Sequence, residues 1–195
     1  MMKTLFGFIA FFAIVSMTGC ETYYVLGERD VETGYLKISR NASVEIVENT
    51  PVDLDRYKSL LVIKNSDLVR SQVENLNYFE EIMNMSELED EIIDNELTDK
   101  VPSLNQAIGL TNASNHYREF LVLEFKVIRF DQSHRVDTEL SLYDPATAQY
   151  LFLAKTTVNV SFNDQQNVYP LYNKLIDYIE DNSQTYDRFE SLDAE

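Results

Sequence analysis

The sequence predicts an α+β fold: one mixed parallel and antiparallel sheet with helices packed on it, in the order β-β-α-β-α-β-β-β-α. Three observations carry this. Strand-like and helix-like apolar patterns alternate from Ser59 to about Leu110, which calls for crossovers and parallel pairing. From Glu119 to Ser161 three strand patterns follow one another through short turns, and such a meander is antiparallel. An amphipathic stretch from about Asn167 to Asp181 then closes the chain with a helix. Helices layered on a mixed sheet satisfy all three.

Ser43–Glu48 alternates in part and reads as the first strand, stopped by Asn49-Thr50-Pro51. Leu60, Leu61, Val62 and Ile63 are four consecutive apolar residues, which suits a strand buried on both faces. Asn65-Ser66-Asp67 offers capping side chains to a helix carrying Leu68, Val69, Val73 and Leu76. Phe79–Met83 reads as a short strand. Ser86-Glu87-Leu88-Glu89 has the form of a capping box, opening a helix that turns Leu88, Ile92 and Leu97 inward. After Pro102-Ser103 a weaker helix runs from Leu104 to Leu110, with Gly109 counting against it.

The meander is clearer. Leu121, Leu123, Phe125 and Val127 line one face of a long strand. Val136, Thr138, Leu140 and Leu142 alternate with Arg135, Asp137, Glu139 and Ser141, the strongest period-two signal in the chain. Asp144 to Ala148 forms a turn with Pro145 at a favoured position. The strand from Gln149 to Ser161 returns through Leu151, Leu153 and Val158. In the last helix Pro170 sits in the first turn, and Leu171, Leu175, Tyr178 and Ile179 make the buried stripe.

The 195 residues are 45% hydrophobic and 25% charged, the composition of a globular protein. Five glycines and four prolines leave no long flexible linker. A net charge of −17 disfavours nucleic-acid binding and adhesion to anionic lipid by charge, both of which need a basic surface.

Cys20 is the only cysteine. It follows Lys3, an apolar run from Leu5 to Val15, and the small residues Thr18 and Gly19. The apolar core is about ten residues, too short to span a bilayer. This stretch resembles a bacterial lipoprotein signal peptide ending in its lipobox, with Met17 in place of the usual Leu. The resemblance implies cleavage before Cys20, which would carry palmitate-type acyl chains and anchor the chain stably in the membrane. Glu21 is not the Asp of an inner-membrane retention signal, so the outer membrane is expected. The periplasmic face is the expected side, with exposure at the cell surface as the alternative.

The expected organisation is therefore a signal peptide over 1–19, an acylated cysteine and short tether over 20–42, one domain over 43–181, and an acidic tail over 182–195. The stretch from Glu21 to about Asn41, if extended, reaches at most about 70 Å.

Catalytic equipment is sparse. The histidines are His116 and His134. His134 lies in a hairpin turn near Asp131 and Asp137, a sketch of a metal site that reads more simply as an exposed turn. His116 has no second histidine or cysteine nearby. Neither a nucleophile elbow nor a phosphate-binding loop occurs. The acidic run Glu87, Glu89, Asp90, Glu91, Asp94, Glu96 and Asp99 reads as the solvated face of a helix. No cofactor, metal or catalytic residue is expected. Tyr23, Tyr24, Tyr169 and Tyr172 are the candidate interface residues, because Tyr gives large contact area at low entropy cost.

The stretch Tyr57–Met83, "YKSLLVIKNS…LVRSQVENLNYFEEIM", has a Tyr-Lys-Ser lead into an apolar strand, a helix, and an aromatic-plus-acid strand before a second helix. With the meander and closing helix, it resembles the α/β domain shared by the N-terminal part of TolB, the CsgG curli-secretion lipoproteins and the LpoB-type activators of peptidoglycan synthases. The chain lacks the length for the membrane-inserting hairpins of the CsgG type and the long arm of the LpoB type. What the resemblance implies is a non-enzymatic, membrane-tethered module that binds another envelope protein. The alternative is a small-ligand or cell-wall binder, with or without hydrolytic activity, whose pocket would lie near His134, Asp131 and Asp137. Neither the partner nor the oligomeric state is legible.

Overall fold

The computed structural model describes residues 27–38, 42–64, 67–130, 135–159 and 165–189. The strands are β1 (Val44–Asn49), β2 (Ser59–Ile63), β3 (Glu81–Asn84), β4 (Leu121–Phe130), β5 (Arg135–Asp144) and β6 (Gln149–Asn159). The α-helices are α1 (Asp67–Glu74), α2 (Met85–Asp94), α3 (Ala107–His116) and α4 (Tyr169–Asn182). All six strands form one sheet in the order β1-β6-β5-β4-β2-β3. β2 pairs in parallel with β3 and β4, whereas β4, β5, β6 and β1 are antiparallel neighbours. The mixed sheet expected from the sequence is present.

The topology places the helices. The chain moves from β2 outward to β3, then back across β2 to β4. Parallel crossovers run right-handed, so reversing direction puts α1 on one face and α2 with α3 on the other, as the two cores show. The strand β2 accordingly has Leu60 and Val62 in one core and Leu61 in the other. The first core lies under α1 and α4 and runs across β2, β4, β5 and β6. The second, under α2 and α3, buries Leu61, Met83 and Val122 of the sheet, with Phe120 just before β4, and Ile63 and Tyr143 pack partly buried at its margin.

Val136, Thr138, Leu140 and Leu142 are all buried, as their alternation requires. The stripe Leu171, Leu175, Tyr178 and Ile179 of α4 is buried against them. Val127 is not: β4 runs out past the helices, and Val127 is exposed. The capping box of α2 is Asn84 with Glu87, two residues before the expected Ser86 and Glu89. The Asn84 side chain accepts from the Ser86 and Glu87 amides at 2.8 and 3.0 Å, and Glu87 accepts from the Asn84 amide at 2.7 Å. β3 passes directly into α2, so its last residue becomes the cap, and Asn caps as well as Ser. The helix expected over 104–110 begins and ends later, as α3. A Cβ on Gly109 would meet the Ser103 carbonyl oxygen at 1.7 Å, so the glycine lets the preceding arm lie against the helix.

The β5–β6 turn rests on Asp144, which accepts from the Ala146 amide, the Thr147 hydroxyl and the Tyr57 hydroxyl at 2.9, 2.7 and 3.0 Å. Burial beside that carboxylate pushes the Tyr57 phenol up. Both sheet edges are blunted. β1 carries Glu45 and Glu48 and a register shift between Ile46 and Glu48. At the β3 edge Arg70 donates to the Ile82 carbonyl at 2.9 Å and pairs with Glu87.

The folded unit extends beyond residues 43–181. Residues 27–38, expected in the tether, pack on α1 and α4, with Leu36 only 2% exposed. The Asn173 side chain accepts from the Leu36 amide at 2.8 Å and donates to its carbonyl at 3.0 Å. At the other end, residues 183–189 fold back onto the same side instead of forming a free tail. Asp55 accepts from Ser183 Oγ, Thr185 Oγ1 and the Gln184 amide.

Candidate functional site

The helix layer on the second face stops at β4. Beyond it, β5 and β6 turn to this face Asp137, Glu139 and Tyr143, opposite Thr157, Lys155 and Tyr150, with Ser141 buried between them opposite Leu153. Pairing of β4 with β5 adds Lys126 beside Glu139 and Glu124 beside Ser141. The result is a row of alternating charge across the sheet. Lys155 Nζ lies 3.3 Å from Glu139, Lys126 Nζ 2.6 Å from Glu124, and Lys64 Nζ 3.7 Å from the same Glu124. Its bond to Glu124 holds the Lys126 ammonium above its usual range. On this face Thr157 donates to Asp137 at 2.7 Å.

A cleft of about 670 Å³ opens where this face meets the helices. Its walls are the arm from Leu104 to Ala107 with Leu110 on one side, and Val122, Tyr143 and Tyr150 on the other. Ile63, Lys64 and Met85 close the end at the carboxyl ends of β2 and β3. This is the point where the chain reverses its direction across the sheet, with one crossover on each face. Open sheets bind ligands at such switch points because the connections diverge there and leave a crevice. Lys64 takes the left-handed conformation there, with φ +56°. The rings of Tyr143 and Tyr150 sit 5.2 Å apart and tilted by 59°. Burial raises the Tyr143 phenol, while Tyr150 remains 44% exposed. The cleft is mainly apolar, with Glu124, Ser141, Asn105 and Gln106 supplying polar groups, the usual makeup of a recognition pocket.

The residues singled out in the sequence lie elsewhere. Cys20, Tyr23 and Tyr24 fall outside the described residues, as do Asp131 and His134. Tyr169 and Tyr172 are 3% and 1% exposed, so these two are core residues and not an interface. They face the sheet because α4 carries an apolar stripe wide enough to bury its tyrosines. Of the acidic helix, Glu87 pairs with Arg70 and Glu91 with Arg118. Among the described residues no group of three or more His, Cys, Asp or Glu is placed to hold a metal ion. Nor, among them, is any helix long and apolar enough to cross a membrane. The sequence reading missed Lys64, Glu124, Tyr143 and Tyr150. Their one sequence signal is that charges interrupt the apolar run of β4 at Glu124 and Lys126.

No known family model matches the chain, and no curated protein matches it by sequence. Several solved structures match the chain, with TM-scores below 0.5. The lipoprotein GNA1162 of Neisseria meningitidis is 13% identical, with a TM-score of 0.38 over 63% of this chain and 96% of that one. PelC of Paraburkholderia phytofirmans, crystallised as a dodecamer, is 10% identical, with a TM-score of 0.35 over 74% of this chain and 100% of that one. TolB of Acinetobacter baumannii is 15% identical, with a TM-score of 0.33 over 72% of this chain and 30% of its own length.

Proposed function

We propose that this chain is a lipid-anchored protein of the bacterial outer membrane that binds another envelope protein from the periplasmic side, without catalysis. The lipobox-like run ending at Cys20 supports the anchor. The observation that carries the binding role is the early end of the helix layer at β4. It leaves an apolar cleft bordered by an exposed tyrosine and a charged sheet face. Aromatic residues beside a concave apolar pocket are what an interface uses to anchor a partner.

A photo-crosslinking residue at Tyr150 in the acylated chain should capture one dominant envelope protein in intact cells. The same group at Asp90, on the exposed side of α2, should not. Leu110→Arg, which fills the cleft with charge, should abolish the capture. Equal capture at both positions, or capture indifferent to Leu110→Arg, sinks the proposal. The anchor is tested separately: Cys20→Ser should move the chain from the membrane to the soluble fraction. The volume of the cleft also favours a second reading, in which it holds a small amphipathic molecule. That reading requires a ligand to co-purify with the wild type and to be lost from Leu110→Arg.

A further inference from the structure

We propose that residues 27–38 form a releasable strap that sets how far the domain stands from its anchor. Its attachments to the body are made by side chains. Asn173 brackets the Leu36 peptide group, Asp177 accepts from the Tyr35 hydroxyl, and Asn75 donates to the Gly27 carbonyl at 2.7 Å. The described backbone bonds of the strap stay within it: Lys37 N to Glu28 O, Asp30 N to Tyr35 O and Gly34 N to Asp30 O. No strand ladder joins these residues to the sheet, so the strap can lift without breaking one.

A clasp from the other end of the chain holds the strap down. Arg188 lies over the Tyr35 ring at 4.4 Å and pairs with Asp177 and Glu180 of α4. Arg29 donates to the Tyr186 hydroxyl at 3.3 Å. The clasp in turn hangs on Asp55, whose carboxylate gathers Ser183, Gln184 and Thr185. One side chain of the body therefore governs two segments. The closed strap also has a built-in cost. Gln72 is completely buried with its Oε1 against Gly27, 2.8 Å from where a Cβ there would stand, and neither its amide nitrogen nor its oxygen has a hydrogen-bond partner among the described residues. Lifting the strap returns that amide to water, which favours opening. Segments held in this way open locally, well below the free energy of global unfolding.

The consequence for reach rests on the reading that Cys20 carries the acyl anchor. With the strap closed, the seven residue steps from Cys20 to Gly27 span at most about 24 Å. With it released, the 24 steps to Val44 span up to about 80 Å, roughly a threefold extension.

Two measurements test this. In the soluble Cys20→Ser chain, hydrogen exchange should show the Leu36 amide opening at least tenfold faster than the Leu140 amide. Asp55→Ala and Asn173→Ala should each speed Leu36 a further tenfold or more and leave Leu140 unchanged. Gln72→Met should slow Leu36, because the closed state no longer strands an amide. Leu36 and Leu140 exchanging together in all variants, or Gln72→Met speeding Leu36, overturns the strap. In the acylated chain on liposomes, energy transfer from a dye on Glu89→Cys to labelled lipid should fall in Asp55→Ala. Unchanged transfer, with exchange showing release, overturns the role in reach while leaving the strap. Failure of the wild type to bind liposomes overturns the anchor alone.

Discussion

The two faces of the sheet differ in how completely they are covered. On one, α1 and α4 cover four strands, and the core continues from Leu60 on β2 to Ala154 on β6. On the other, α2 and α3 cover little more than β2, β3 and the start of β4. The same strands build both. In β5, Leu140 is completely buried, while its neighbour Glu139 points the other way into the charged row. Under the proposed function, stability and recognition fall to opposite faces of one sheet, and residues next to each other in sequence serve different ends.

The sharpest way to break this comparison is to truncate those neighbours. Leu140→Ala should cost about 2–5 kcal/mol in urea unfolding, the range for a buried leucine that leaves a cavity. Glu139→Ala should cost about 1 kcal/mol or less, since its partner Lys155 can turn to water. Similar losses for the two would show that the second face is as closed as the first. Gly109→Ala comes next. The added methyl cannot coexist with the Ser103 carbonyl, so the arm must move at a cost of about 1–3 kcal/mol. Binding at the cleft should weaken along with stability, because that arm is one of its walls.

Much of the first face was legible in the sequence, because burial on a regular element leaves a period. Val136, Thr138, Leu140 and Leu142 announce their strand, and Leu171, Leu175 and Ile179 their helix. The cleft was not legible, since it arises where a crossover changes direction, and no local pattern records which strands become neighbours. Tyr169 and Tyr172 misled for a different reason: a tyrosine is as much at home in a core as at a surface. The strap was hidden too. Residues 27–38 have one buried apolar residue, Leu36, and are held by hydrogen bonds to side chains far along the chain.

The acid response sharpens the contrast between the sheet and its appended ends. Burial would raise the Asp55 carboxyl, but the donors Ser183, Thr185 and Gln184 outweigh it and hold it down to about 2. A depressed folded-state value means that its contribution is complete above the ordinary value of 3.8 and is lost as pH falls towards 2. Protection of the Leu36 amide should therefore weaken across that window, and Asp55→Asn should remove that part of the dependence. The smallest expected effect is at Ala148, which holds φ +56° in the β5–β6 turn. Ala148→Gly should raise stability by about 1 kcal/mol or less, because glycine adopts the left-handed conformation without strain.

The blunted sheet edges acquire a meaning once the chain is considered on a surface. Proteins confined to one membrane meet at an effective concentration far above that in bulk, and weak self-pairing is amplified accordingly. A straight, unbroken outer strand would then recruit its own kind by mass action and grow into an extended sheet. The extra residue at Val47 puts β1 out of step with any regular neighbour, and self-pairing about its centre would set Glu45 against Glu48. On a chain anchored as proposed, crowding at the membrane would leave the faces of the sheet, and not its rims, as the ground on which encounters are decided.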